Sequence, residues 1–179
     1  MPTLYLVRHG VAVDQADWAR QPDDDRPLTS EGRRRFRKLA GDFAEHEEEV
    51  AVIVSSPLPR AVMTAEILAN AIGCDAITVS EALRPGRTAA DAIEEAVKLW
   101  TAAERSGGLA LVGHEPGMTK LAEKLVGESL PRLNFRKGAI FRFDVETLPP
   151  RGPAHFRWWM SPKSRTRNEA LPLEPDDAR

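Results

Sequence analysis

Four short, continuous apolar runs separated by helical patterns constrain the fold most. They are Thr3 to Val7, Val50 to Val54, Ala76 to Val79 and Leu109 to Val112. Each is too short for a buried helix and does not alternate with polar residues, as expected of strands covered on both faces. Strands alternating with helices predict a mainly parallel central sheet with helices on both faces, a three-layer α/β sandwich.

The intervening segments carry helix signals. Thr29 or Ser30 can cap a first helix, with Glu31 in its first turn and Phe36, Leu39, Ala40 and Phe43 on its buried face. Ser56-Pro57 reads as N-cap and first residue of a second, with Ala61, Thr64, Ala65, Leu68 and Ile72 inward and Gly73 at its end. Thr88 caps a third, with Ile93, Val97 and Trp100 inward, and Pro116 opens a fourth over Met118, Leu121, Ala122 and Leu125.

The last third changes period. Phe141, Phe143 and Val145 alternate with Arg142 and Asp144, and Phe156, Trp158 and Met160 with Arg157 and Trp159. These read as antiparallel strands with one covered face, extending the sheet at its edge. Trp158 and Trp159 fall on opposite faces, one in the core and the other partly exposed. The chain of 179 residues is expected to form one domain over 1–162, followed by a loosely attached polar tail over 163–179.

Charge narrows the partners. Lys and Arg total 25 against 27 Asp and Glu, a net charge of -2, so no global field favours nucleic acid or a membrane surface. The basic run Arg33-Arg34-Arg35 with Arg37-Lys38 fits the solvated face of the first helix. Asp23-Asp24-Asp25 lacks the alternating ligands and glycine of a calcium loop and is expected near a site entrance. A single cysteine, Cys74, no signal peptide and no membrane-length apolar run fit a cytoplasmic chain, expected to act as a monomer.

Three polar clusters follow strands. Arg8-His9-Gly10 follows the first, Ser55-Ser56-Pro57 the second, leading into Arg60, and Gly113-His114-Glu115-Pro116 the run ending at Val112. In a parallel sheet all three meet at the carboxyl edge, where open α/β folds bind ligands. Two arginines and two histidines converging beside helix N-termini suit a phosphoryl group. Gly10 leaves room for close approach of the backbone to a ligand. A neutral imidazole can attack phosphorus if its other ring nitrogen is held by a backbone carbonyl or similar partner.

These residues resemble a known family. Leu6-Val7-Arg8-His9-Gly10 matches the signature of the histidine phosphatase superfamily. Pro27-Leu28-Thr29-Ser30-Glu31-Gly32, Ser55-Ser56-Pro57-Leu58-Pro59-Arg60-Ala61 and Val112-Gly113-His114-Glu115-Pro116-Gly117 continue the match in order. Lys137-Gly138-Ala139-Ile140 and the Trp158-Trp159 strand resemble the ending of the small SixA-type phosphohistidine phosphatases. The resemblance implies a phosphoglycerate mutase-like fold and His9 as phosphorylated nucleophile. It has Arg8, Arg60 and His114 holding the phosphoryl oxygens, with His114 protonated when phosphate is bound. It implies no metal and no organic cofactor.

One departure bears on substrate. Many superfamily members place a glutamate after a Leu-Arg pair to protonate the leaving oxygen. Here Leu83-Arg84 is followed by Pro85-Gly86. Glu81 is displaced from that position, and Glu115 beside His114 is the other candidate donor. An N-P bond to imidazole needs little acid help, whereas an alkoxide leaving group needs more. The sequence thus points to dephosphorylation of phosphohistidine on a partner protein, such as a histidine-containing phosphotransfer domain. A small-molecule phosphomonoesterase is the alternative. A non-catalytic phosphate-sensing or protein-binding module is the second.

Overall fold

Each apolar run folds as a strand, and the helical patterns fall between them. The structure, a computed structural model, describes residues 1–46 and 50–174. In chain order the elements are β1 (Thr3–Arg8), α1 (Ser30–His46), β2 (Val50–Ser55), α2 (Pro59–Ile72), β3 (Ile77–Val79), α3 (Ala89–Ala102), β4 (Gly108–Gly113), α4 (Gly117–Val126), β5 (Ile140–Asp144) and β6 (His155–Met160). The six strands form one sheet in the order β3-β2-β4-β1-β5-β6. The first four are mutually parallel, while β5 and β6 extend the sheet antiparallel beyond β1.

The core lies in two layers either side of the sheet. Tyr5, Val7, Ile53 and Val112 pack against Phe36, Leu39 and Phe43 of α1 and Ala61, Ala65 and Leu68 of α2. Leu4, Leu6, Val54 and Leu111 pack against Ala92 and Ala96 of α3 and Met118, Leu121 and Leu125 of α4. Successive residues of one strand therefore feed opposite cores, which is why these runs show no polar alternation.

Several boundaries differ from expectation. The second helix begins at Pro59, not at Ser56-Pro57, and Leu58 is its extended N-cap with φ -69° and ψ 136°. The proline at 59 keeps the preceding residue out of the helical region, so the helix cannot start earlier. The N-cap of α4 is Pro116 itself, with Gly117 the first helical residue. The third strand is shorter than Ala76 to Val79 and is an edge strand, with Ile77 37% and Val79 54% exposed. Thr88 caps α3 as expected, its side chain accepting from Asp91 N.

The carboxyl-terminal region is more firmly attached than its polarity suggests. Trp158 and Trp159 are both buried, not one of them. Trp158 packs on Tyr5 and Phe43, and Arg167 lies over its ring at 5.1 Å. Trp159 stacks near Phe141 and donates from Nε1 to Ala170 O at 2.9 Å. Asn168 bridges to Trp159, and Leu173 to Leu133. The segment 163–174 thus covers the outer sheet edge by backbone pairing instead of trailing from it. The rest of the expected tail, 175–179, lies outside the described residues, as does the acidic stretch 47–49.

The loop after β1 is clamped to the start of α1. Val11 O accepts from Thr29 N at 3.0 Å and from Thr29 Oγ1 at 3.3 Å. A Cβ on Gly32 would sit 2.1 Å from the same oxygen. Gly32→Ala should therefore force the loop and helix apart and cost about 2 kcal/mol, lowering Tm by roughly 4–8 °C. An unchanged thermal unfolding curve would show that this contact does not hold the loop.

Candidate active site

Strand register brings the polar clusters together. Arg8 pairs with Gly113 across β1 and β4, and Ser55 with Val112 across β2 and β4. His9, Ser56 and His114 are each the next residue along, so all three emerge at one edge of adjacent parallel strands. The crossing is closed by His9 N donating to Gly113 O at 3.0 Å and Ser56 N to Val112 O at 2.9 Å. A Cβ on Gly113 would meet Met118 Cε at 2.6 Å, so the tip of this α4 side chain lies directly over the strand end. The His9 and His114 rings lie with centroids 5.0 Å apart.

His9 is held in one tautomer. Its Nδ1 lies 2.7 Å from Gly10 O, so Nδ1 carries the proton and donates, leaving Nε2 with a free lone pair. Burial, opposed by the Gly10 hydrogen bond and helped by His114, Arg60 and Arg8, lowers its pKa to about 3. The ring is neutral at ordinary pH. Gly10 serves a purpose different from the expected one. Its N-H donates to Thr64 Oγ1 at 3.1 Å and its carbonyl orients His9, while its missing side chain faces Leu28 and Gly32 O. It positions the imidazole and offers no free N-H to a ligand.

The arginines are anchored at their tips and bare at their centres. Arg8 Nη1 donates to Phe135 O at 2.7 Å. Arg60, at the second position of α2 and only 4% exposed, donates from Nη1 to Asp23 O at 2.9 Å. Burial lowers the pKa of both below the usual value, for Arg60 with a further push from Arg26. His114 Nε2 lies 2.8 Å from Ser56 Oγ. Burial followed by Arg60, Arg8 and Arg26 lowers its pKa to about 4. With no anion bound it is therefore neutral. Among the described residues three buried atoms, Arg8 Nε, Arg60 Nε and His114 Nδ1, have no hydrogen-bond partner. Buried polar nitrogens left bare are costly, so three converging on one strand edge mark a place for an anion.

The two candidate acids are occupied differently. Glu115 accepts from Thr119 N at 3.0 Å and from Thr119 Oγ1 at 2.7 Å, which staples the first turn of α4. Burial raises its pKa against those hydrogen bonds. The Glu81 side chain is exposed and pairs with Arg84 Nε at 2.6 Å. Neither makes a hydrogen bond to His9 or His114 among the described residues. The Asp23 to Asp25 turn lies over the site entrance: the Asp23 carboxylate is 3.6 Å from Arg60 Nη2, and Asp24 binds Arg84 at 2.7 Å.

Ser56, Thr64, Asp23 and Arg26 belong to this arrangement and were not singled out as site residues by sequence. Ser56, through the polar cluster after the second strand, and Asp23, through the acidic run, left a signal there. Among the described residues no cluster of three or more His, Cys, Asp or Glu side chains is placed to hold a metal ion, and no helix is long and apolar enough to cross a membrane.

A parallel sheet whose carboxyl edge gathers two histidines and two arginines defines an α/β protein built to handle phosphoryl groups. The chain belongs to the histidine phosphatase superfamily (branch 1), which it matches over residues 4–105 and whose members are phosphatases or mutases. It is 38% identical over 138 residues to an uncharacterised protein of Picosynechococcus sp., covering 76% of this chain and 81% of that one. It is 40% identical over 77 residues to a probable phosphoglycerate mutase, GpmB, of Escherichia coli, 43% of this chain and only 35% of that protein's length. The fold is shared with the protein histidine phosphatase SixA, solved with tungstate, at a TM-score of 0.76 and 24% identity over 92% of this chain and 99% of SixA.

The depressed histidines have a consequence for stability. Folded values of about 3 for His9 and about 4 for His114 lie below the unfolded value of about 6.5. As pH falls below about 6.5 the unfolded chain takes up protons that the folded chain refuses. Their contribution is present above that pH and is lost toward the folded values, each adding up to about 1.4 kcal/mol per pH unit. Urea midpoints measured between about pH 7 and about pH 4.5 should fall, and His9→Gln with His114→Gln should flatten the fall. An identical slope in the double variant would show that both rings titrate normally.

Proposed function

We propose that the chain is a phosphatase that carries the phosphoryl group on His9 and acts on phosphohistidine of a partner protein, such as a histidine-containing phosphotransfer domain. The observation that carries the reading is a neutral, carbonyl-anchored His9 beside three bare buried nitrogens from Arg8, Arg60 and His114.

In the first step the His9 Nε2 lone pair attacks phosphorus while the bond from phosphorus to the substrate nitrogen breaks. The substrate phosphoimidazole enters with its far nitrogen already protonated, so the departing imidazole keeps that proton and leaves neutral without an enzyme acid. Arg8 and Arg60 donate from Nε to the non-bridging oxygens and offset charge on the transferring group. A Ser56 hydroxyl donating to His114 Nε2 leaves the proton on Nδ1, which makes that nitrogen a third donor. In the second step water attacks phosphorus, the bond to Nε2 breaks, and the water proton leaves with phosphate or solvent. A bound dianion also draws His114 back toward its protonated form, against the burial and arginines that hold it neutral in the free site.

The substrate reading rests on the missing acid. Pro85-Gly86 occupies the position of a donor, Glu81 is paired with Arg84, and both Glu115 oxygens are taken by Thr119. A labile phosphoramidate needs no such donor. The fold shared with SixA agrees with this reading. The second reading, a small-molecule phosphomonoesterase, is favoured by the local identity to GpmB.

His9→Ala should lower release of phosphate from p-nitrophenyl phosphate by roughly 10⁴-fold or more, and equal activity in the variant overturns the mechanism. In a panel, a phosphorylated histidine-containing domain should exceed phosphoglycerates, sugar phosphates and nucleotides in kcat/KM. A metabolite that exceeds it by orders of magnitude overturns the substrate reading.

A further inference from the structure

A groove of about 140 Å³ opens beside the nucleophile, on the side away from α3 and α4. It starts at Gly10, its apolar floor is formed by Val11 and Pro162 over the buried Phe36, and Arg136, Lys137 and Lys163 line it. Its walls are fixed. Gly138 N donates to both Arg8 O and His9 O, so Lys137 sits one residue from the backbone that carries the nucleophile. A Cβ on Gly138, whose φ is +76°, would lie 2.9 Å from Pro162 Cγ, so the two walls meet there. The second wall is tied down by Arg165 N donating to Ser161 O at 2.8 Å and Ser164 N to Ser161 Oγ at 3.3 Å.

The charge of this groove is unbalanced. Arg136, Lys137 and Lys163 are exposed and have no ion-pair partner among the described residues. Arg35, a fourth cation on the lining, is engaged by Glu31 at 2.6 Å, and Glu31 is shared with Arg34. A chain of net charge -2 therefore keeps three unpaired cations together within reach of His9. Nothing in the phosphoryl chemistry uses them.

We infer that this groove docks an acidic surface of the phosphorylated partner protein, with Arg136, Lys137 and Lys163 facing Asp or Glu side chains that flank the phosphohistidine. The inference rests on the phosphoprotein reading above. The occupant follows from the contrast between two sets of cations. Arg8 and Arg60 are withdrawn and held by backbone carbonyls, the arrangement of a dedicated clamp for one small anion. The three groove cations are exposed, belong to two separate segments and surround an apolar floor on which Val11 is 37% exposed. Lysine heads on flexible stems act as mobile point charges, suited to steering and to several carboxylates on a folded surface. A mixed apolar and basic strip is the composition of a protein contact with a charged rim.

The test is a charge reversal read against two substrates. Arg136→Glu with Lys163→Glu should raise KM for a chemically phosphorylated histidine-containing phosphotransfer domain by roughly tenfold or more, with kcat within about twofold. KM and kcat for p-nitrophenyl phosphate should stay at the wild-type values. The wild-type KM for the domain should climb with sodium chloride, and the variant's should not. Arg151→Glu, on the loop between β5 and β6 at the opposite end of the sheet, controls for a charge reversal placed away from the groove and should change neither substrate. If the wild type turns over the domain and the double variant keeps its KM, docking is overturned and the phosphatase reading stands. Equal losses on both substrates overturn docking by making the groove part of the phosphoryl site. A rise in KM confined to phosphoserine, a small phosphorylated acid, assigns the cations to a metabolite carboxylate and also overturns it. A wild type active on p-nitrophenyl phosphate but inert toward phosphorylated domains overturns the substrate reading, and docking with it.

Discussion

The parallel pairing of β4 between β2 and β1 is the constraint on which the rest of the site depends. Arg8 opposite Gly113 and Ser55 opposite Val112 set three strand ends level. A slip of one residue in either pairing would send His9 or His114 to the wrong face and feed the wrong side chains to the two cores. The apolar strands and the site are therefore specified together. The burial of Leu4, Leu6, Val54 and Leu111 on one face and of Tyr5, Val7, Ile53 and Val112 on the other selects the register. That register carries the histidines into place.

Once placed, the site is held in a state that disfavours positive charge on its histidines and arginines. Burial lowers the pKa of both histidines and both arginines. The neighbouring arginines also oppose protonation of the rings, as Arg60 and Arg8 do at His9. What prevents collapse is local hydrogen bonding to carbonyls, from Arg8 to Phe135, from Arg60 to Asp23 and from His9 to Gly10. The same burial that makes these groups costly keeps His9 neutral, and a nucleophilic imidazole has to be neutral.

Much of this was legible in the sequence, because strand burial and helix capping are local signals. The four apolar runs, the Thr29 and Thr88 caps and the Gly73 stop all appear in the structure. Features set by distant contacts were not legible. Trp159 reads as half-exposed until residues 163–174 fold over it. Gly10 reads as a gap for a ligand, whereas its two backbone groups are consumed by Thr64 and His9. In both cases a deciding partner, Ala170 or Thr64, lies outside the element concerned, where its periodicity carries no information.

The Asp23 to Asp25 turn shows how the resting site balances its charge. Asp23 offers Arg60 both a carbonyl at 2.9 Å and a carboxylate at 3.6 Å, while also binding Arg26 at 3.0 Å and Gln15 at 3.0 Å. Its side chain is 47% exposed, against 5% for that of Arg60, so the carboxylate interaction is screened by water and weak. The carbonyl bond fixes the guanidinium; the carboxylate only tempers it. An oxyanion reaching the bare Nε of Arg60 competes with a partner that is distant, solvated and already shared. It gains two further buried donors from Arg8 and His114 that the carboxylate does not reach. The turn thus lowers the cost of keeping Arg60 buried and charged without meeting its Nε, the atom that the proposed mechanism turns toward the phosphoryl oxygens.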